Sequence, residues 1–134
     1  MSIEKVCVDG ATYYFPDPDG SMCASLVSRD ERESFLLDIS RGRINLAKAT
    51  YQNRSRKVII LLRLDIEGTT HTNPDGHRIP TPHLHVYREG FGDKWAIPVP
   101  SGDFTNTSDL FQSMEDFMTY CNITQPPNIE RRLF

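Results

Sequence analysis

Cysteine is scarce in this chain. Cys7, Cys23 and Cys121 are the only three in 134 residues, and no pair has CxxC spacing. An odd, scattered set argues against a disulfide framework and against a cysteine zinc site, and it fits a reducing cytoplasm. Long apolar runs are missing as well. The longest, Val58–Leu62, is too short to cross a membrane. The N-terminal stretch MSIEKVCVDG lacks the apolar core of a signal peptide. The expectation is therefore a cytoplasmic protein with no membrane contact. Repeats and low-complexity tracts are absent. Net charge is only −3, so no global field draws nucleic acid, and contact with RNA needs a local basic patch. The remaining composition, 38% hydrophobic and 25% charged, is ordinary for one globular domain spanning residues 1–134.

Histidine is distributed very unevenly. All four histidines, His71, His77, His83 and His85, fall in the stretch HTNPDGHRIPTPHLHVYREGFGDKW, which ends at the single tryptophan, Trp95. Its local pattern reads as a loop over Glu67–Pro82, a strand over His83–Arg88, a glycine turn over Glu89–Asp93, and a short or edge strand over Lys94–Val99 that contains Pro98. Loops as long as Glu67–Pro82 in a small domain are often functional.

Upstream, KVIILLRLDI over Lys57–Ile66 is the clearest strand, long, β-branched and free of Gly and Pro. Val58, Ile60, Leu62, Leu64 and Ile66 share one face; Ile59, Leu61, Arg63 and Asp65 share the other. Antiparallel pairing with His83–Arg88 must match the apolar faces, which joins Leu84 and Val86 to the first set. His83, His85 and Tyr87 then stand beside Arg63 and Asp65.

The other elements follow from shorter signals. Lys5–Val8 and Thr12–Phe15 suit a hairpin turning at Asp9-Gly10. Ala24–Glu33 reads as a charged connection, so residues 1–33 are expected to be an irregular N-terminal segment. Ser34–Ser40 and Arg43–Tyr51 read as strands, with QNRSR over Gln52–Arg56 as a polar turn. Leu110, Phe111, Met114, Phe117, Met118 and Cys121 form a helical stripe. That helix, over 107–122, is capped by Thr107 or Ser108 with Asp109 in its first turn. The tail IERRLF is expected to be mobile or partner-bound. The fold class expected is α+β, an antiparallel sheet of about five strands over 34–99 with the C-terminal helix packed on one face.

Two chemistries suit the histidines. His83-x-His85 on a strand sets two imidazoles on one face, roughly 7 Å apart at Cα. Such a pair can bind a divalent metal with His71, His77 or Asp75 as further ligands, and Asp65 can orient a ligand through its second ring nitrogen. Alternatively, metal-free cleavage of RNA needs a base, an acid and a cation for the crowded phosphate. Arg63, Arg88 or Lys94 can supply that cation. Basic residues from Arg41 to Lys57 can steer a phosphate backbone, although most such charges only solvate a face.

The run from Phe35 to Trp95, with LLRLD and PHLHVYREG, resembles an uncharacterised family of small bacterial proteins. More distantly it resembles the TumE-like toxins of toxin–antitoxin modules. There a strand ending in an Arg-x-Asp-like pattern is followed by Pro-His-x-His. Arg63-Leu64-Asp65 and Pro82-His83-Leu84-His85 stand at the matching places. That resemblance implies a ribonuclease-type toxin countered by a neighbouring antitoxin.

The leading expectation is an endoribonuclease-like toxin that needs no cofactor. In it His83 and His85 are acid and base, Arg63 and Lys94 hold phosphate, Asp65 orients a histidine and Tyr87 assists. His71, Arg88 and Trp95 contact substrate. One alternative is a non-catalytic binding protein, antitoxin-like or phage-type, whose acidic residues Asp109, Glu115 and Asp116 dock on a basic partner. The other is a metal-dependent hydrolase with ligands drawn from His71, His77, His83 and His85. The partner is accordingly RNA, an antitoxin or a target protein.

Overall fold

The computed structural model describes residues 3–132. Alternating burial organises most of it. The strands in chain order are β1 (Lys5–Val6), β2 (Thr12–Tyr14), β3 (Ser21–Ser28), β4 (Ser34–Arg41), β5 (Ala49–Ser55) and β6 (Ile59–Asp65). They continue with β7 (His71–Thr72), β8 (Arg78–Ile79), β9 (His83–Val86) and β10 (Ala96–Pro98). The helix α1 (Leu110–Tyr120) precedes β11 (Ile123–Gln125) and β12 (Asn128–Glu130).

Eight strands form one sheet in the order β10-β9-β6-β5-β4-β3-β1-β11. Its pairings are antiparallel except β1 with β11, which is parallel. The expectation of an antiparallel five-stranded α+β domain is corrected. The domain is mainly β, its large sheet is mixed, and its one helix among the described residues has only 11 residues.

Three misread segments account for the difference. Residues 21–28 form a long strand because Ala24, Leu26 and Ser28 are buried on alternate positions. The charges of the following turn, Arg29–Glu33, hide that period. The expected strand over Arg43–Tyr51 lies further along, at β5, so the supposed polar turn QNRSR is mostly strand. Its exposed-face side chains are satisfied laterally: Arg54 holds Asp38 of β4 through two bonds of 2.6 and 2.9 Å, and Gln52 donates to the same carboxylate. Such bidentate pairing lets a polar segment extend as a strand. The N-terminal hairpin is absent. β1 pairs with β3 and β11, whereas β2 pairs in parallel with β12, so residues 1–33 hold three strands. The tail therefore begins in a strand. Its last two residues, Leu133 and Phe134, lie outside the described residues, as do Met1 and Ser2 of the N-terminal stretch.

The core lies between the sheet and α1, with Leu37, Ile39, Tyr51, Leu64, Leu84 and Phe117 fully buried. Asp109 caps the helix, not Thr107 or Ser108, its carboxylate accepting from the Gln112 amide. The Tyr51 hydroxyl donates to the Leu110 carbonyl at 2.6 Å, tying the first turn of α1 to the middle of the sheet. Val58, assigned to the apolar face of β6, is 77% exposed because β6 begins only at Ile59, after left-handed Arg56 and Lys57.

The Tyr51 bond crosses the core, so Tyr51→Phe should cost about 1 kcal/mol of unfolding free energy while leaving the ring packing on Phe117 intact. Urea unfolding checks this, and a cost near zero would show that the bond adds nothing.

Candidate functional site

Strands β6 and β9 pair with Arg63 opposite His85, Leu64 opposite Leu84, and Asp65 opposite His83. Leu64 and Leu84 are fully buried on the core face. Period-two alternation then sends Arg63, Asp65, His83 and His85 to the other face, where they line a cavity of about 310 Å³. Lys48, Thr50 and His71 line it too.

The two strand histidines are almost wholly buried, at 2% and 1% exposure, and their ring nitrogens are engaged. His83 Nδ1 lies 3.1 Å from the Ile79 carbonyl, and His85 Nδ1 lies 2.8 Å from the Asp93 carbonyl. A carbonyl only accepts, so each Nδ1 carries a hydrogen and donates it. In the neutral ring that leaves the lone pair on Nε2. His83 Nε2 is hydrogen-bonded to Asp65 Oδ2 at 3.1 Å, and His85 Nε2 lies 3.2 Å from the same oxygen. Electron-pair donors do not approach each other this way unless a proton or a cation lies between them. His85 Nε2 also lies 3.0 Å from Arg63 Nη2. The carboxylate calls for a hydrogen on that nitrogen and the guanidinium calls for a lone pair.

Asp65 is the hub. Its Oδ1 accepts from the Thr50 hydroxyl at 3.1 Å, and its Oδ2 accepts from Arg63 Nε at 3.3 Å. Burial alone would raise its pKa. That effect is outweighed by the hydrogen bond from His85, the charges of Arg63 and His85, and the Thr50 bond, which together hold the carboxyl down to about 2. Arg63 spans the site to Asp93 Oδ2, at 3.2 Å.

His71 closes one side. It belongs to the β7–β8 hairpin inside the expected loop, and its Nε2 donates to the Lys94 carbonyl at 2.6 Å, leaving Nδ1 unbonded. Its ring lies 4.6 Å from that of His85. The hairpin is held on edge strand β10 by buried Asn73, whose amide donates to the Ala96 carbonyl and accepts from the Ala96 amide.

The structure thus brings together His83, His85, Arg63, Asp65 and His71. The other expected site residues lie elsewhere. Lys94 contributes its backbone carbonyl, not its ammonium. Tyr87 lines a separate cavity. Arg88 stacks its guanidinium 4.1 Å from the Trp95 ring, outside the histidine cavity. His77 pairs with Asp75 in the exposed turn, outside the cavity lining. Thr50 and Asp93 are site residues that sequence reasoning missed. Thr50 was recoverable once β5 was placed, because it sits directly opposite Asp65.

Asp65, His83 and His85 each offer one ligand atom, all within 4.8 Å of one another. A tetrahedral centre with bonds of 2.0–2.1 Å sets its ligand atoms about 3.3 Å apart, close to the two His–Asp contacts, and the group's overall spread of up to 4.8 Å must narrow for one ion to touch all three. The fold and the site define a β-rich domain bearing a histidine–aspartate cluster on its open sheet face. The chain belongs to a family of unknown function, DUF6978, whose model matches residues 1–123. No curated protein and no solved structure matches it.

Because the folded-state pKa of Asp65 lies below its unfolded value of 3.8, the carboxylate contributes stability above about pH 4 that is lost as the pH falls toward 2. In metal-free protein, wild-type unfolding free energy should therefore drop more steeply than that of Asp65→Asn between pH 4 and pH 2. Parallel curves in acid would contradict the network described here.

Proposed function

We propose that the chain is a metal-dependent hydrolase of phosphodiesters, with RNA as its substrate. Asp65, His83 and His85 hold a divalent ion of the zinc type. The observation that carries this reading is the approach of His83 Nε2 and His85 Nε2 to one oxygen, Asp65 Oδ2, with both Nδ1 atoms committed to backbone carbonyls. Outer hydrogen bonds of that kind orient metal-ligating imidazoles. Asp65, His83 and His85 would hold the ion, and an ion with three protein ligands would supply an activated water as nucleophile. Arg63 and Lys48, both on the cavity wall, supply positive charge for the phosphoryl oxygens. Arg63 would then turn toward Asp93, which it already touches. His71, on the same cavity wall, would be the proton carrier through its Nδ1.

RNA is favoured as the substrate by the stretches that resemble the TumE-like toxins. Arg63-Leu64-Asp65 and Pro82-His83-Leu84-His85 are the residues that form the cluster. A toxin of this kind would act in the cytoplasm, in keeping with the free thiols Cys7, Cys23 and Cys121, and an antitoxin protein would be its partner. Among the described residues no helix is long and apolar enough to cross a membrane.

One observation favours a second reading without metal. Arg63 Nη2 already meets His85 Nε2, as it would if the guanidinium were the resident cation of the site. Acid and base in phosphoryl transfer act on attacking and leaving oxygens that lie roughly in line, however, whereas the Nε2 atoms of His83 and His85 lie side by side against one oxygen, Asp65 Oδ2. That difference places the metal reading first.

Incubating total RNA with the purified protein separates the two. Cleavage should be lost in EDTA, return with added zinc, and fall at least about 100-fold in the double variant His83→Ala, His85→Ala. Cleavage that survives EDTA but vanishes in the variant would replace the metal with histidine acid–base chemistry. If wild type with added zinc leaves RNA intact, the ribonuclease reading is wrong.

A further inference from the structure

A second cavity, of about 540 Å³, lies where the sheet meets the end of α1, and it shares no residue with the histidine site. Phe35, Leu61, Leu62 and Val86 form apolar wall, and Tyr87 and Tyr120 add phenol rings. The size lies in the range of small-molecule sites, which are mostly apolar with a few polar groups that fix orientation.

Two polar groups of the wall are incompletely answered by the protein. Asn53 is fully buried. Its amide nitrogen donates to the Leu36 carbonyl at 3.2 Å, while its Oδ1 has no hydrogen-bond partner. Buried carbonyl oxygens are nearly always paired, so an orphan on a cavity wall points to a missing donor. Lys5 is 1% exposed. Its ammonium donates to the carbonyls of Ile3 and Cys121 and lies 5.0 Å from the centre of the Phe35 ring. Among the described residues no carboxylate pairs with it. Neighbouring Glu4 is taken by Arg29, and Glu33, on the same wall, is exposed and makes no ion pair with Lys5. Burial pulls the Lys5 pKa below the ordinary lysine value. A buried cation without a counter-charge is costly and normally finds one.

We propose that this cavity binds an aromatic organic acid that carries an N–H donor. The anionic head answers Lys5, the N–H answers Asn53 Oδ1, and the rings fill the apolar space between Phe35, Leu62 and Val86. The inference stands independently of the histidine cluster and its chemistry.

The probe 8-anilino-1-naphthalenesulfonate combines the required features: fused rings, an acid group and an N–H. Its fluorescence should rise saturably, at one site per chain, on titration with the folded full-length protein. Near-UV circular dichroism establishes that the protein is folded, because loosely packed states also bind this dye. Affinity should fall at least tenfold in Lys5→Met, which removes the charge at similar volume. It should fall as much in Ser55→Trp, which fills the wall without replacing either polar group. Indole-3-acetate should displace the dye. Absence of saturable binding, or equal affinity in wild type and folded Ser55→Trp, would overturn the proposal. So would a folded Lys5→Met that binds as wild type does. If Lys5→Met does not fold, Ser55→Trp decides.

Discussion

The register between β6 and β9 is the constraint on which the site depends. Leu64 and Leu84 must both face the core, and that single requirement puts Asp65 opposite His83 and Arg63 opposite His85 on the open face. A slip of one residue would bury two charges and expose two leucines. Apolar burial therefore holds the polar site in place, although no polar group of the site lies in the core.

Around that pair the sheet supplies the rest in order of distance. β5 brings Thr50 beside Asp65. The glycine turn after β9 brings Asp93, whose carbonyl orients His85 and whose carboxylate holds the far end of Arg63. The β7–β8 hairpin brings His71, and Asn73 fastens that hairpin to the edge strand. Each donor in the cluster is thus oriented by a backbone or side-chain partner from a different segment. This is the preorganisation that a metal or catalytic site requires.

The sequence was most legible where burial is one-sided. The alternation of Lys57–Ile66 and of His83–Arg88 led directly to the observed pairing, because each strand has one apolar row and the opposite row of Lys57–Ile66 turns polar at Arg63 and Asp65. It was least legible where lateral pairing replaces burial. In QNRSR the polar side chains are satisfied by Asp38 across the sheet, so the residues look like a turn and extend as a strand. The parallel pairings of β1 with β11 and β2 with β12 join the two ends of the chain, and no local pattern encodes them. The cluster of His83, His85, Asp65 and Arg63 could be assembled from register alone. His71 could not, because its position depends on a hairpin held by Asn73. Tyr87 was placed by the same register, but β9 ends at Val86 and Tyr87 lines the other cavity; the roles given to Lys94, Arg88 and Trp95 rested on nearness in sequence, and none of the three lines the histidine cavity.

The central claim is that Asp65, His83 and His85 form a cation site. The most direct test is crystallography of the protein grown with zinc, read by anomalous scattering at the zinc edge. The account predicts one strong peak about 2.0–2.2 Å from His83 Nε2, His85 Nε2 and an Asp65 carboxylate oxygen, with Arg63 turned toward Asp93. A map with no peak there at saturating zinc, and Arg63 still on His85 Nε2, would contradict it and leave the guanidinium as the cation of the site.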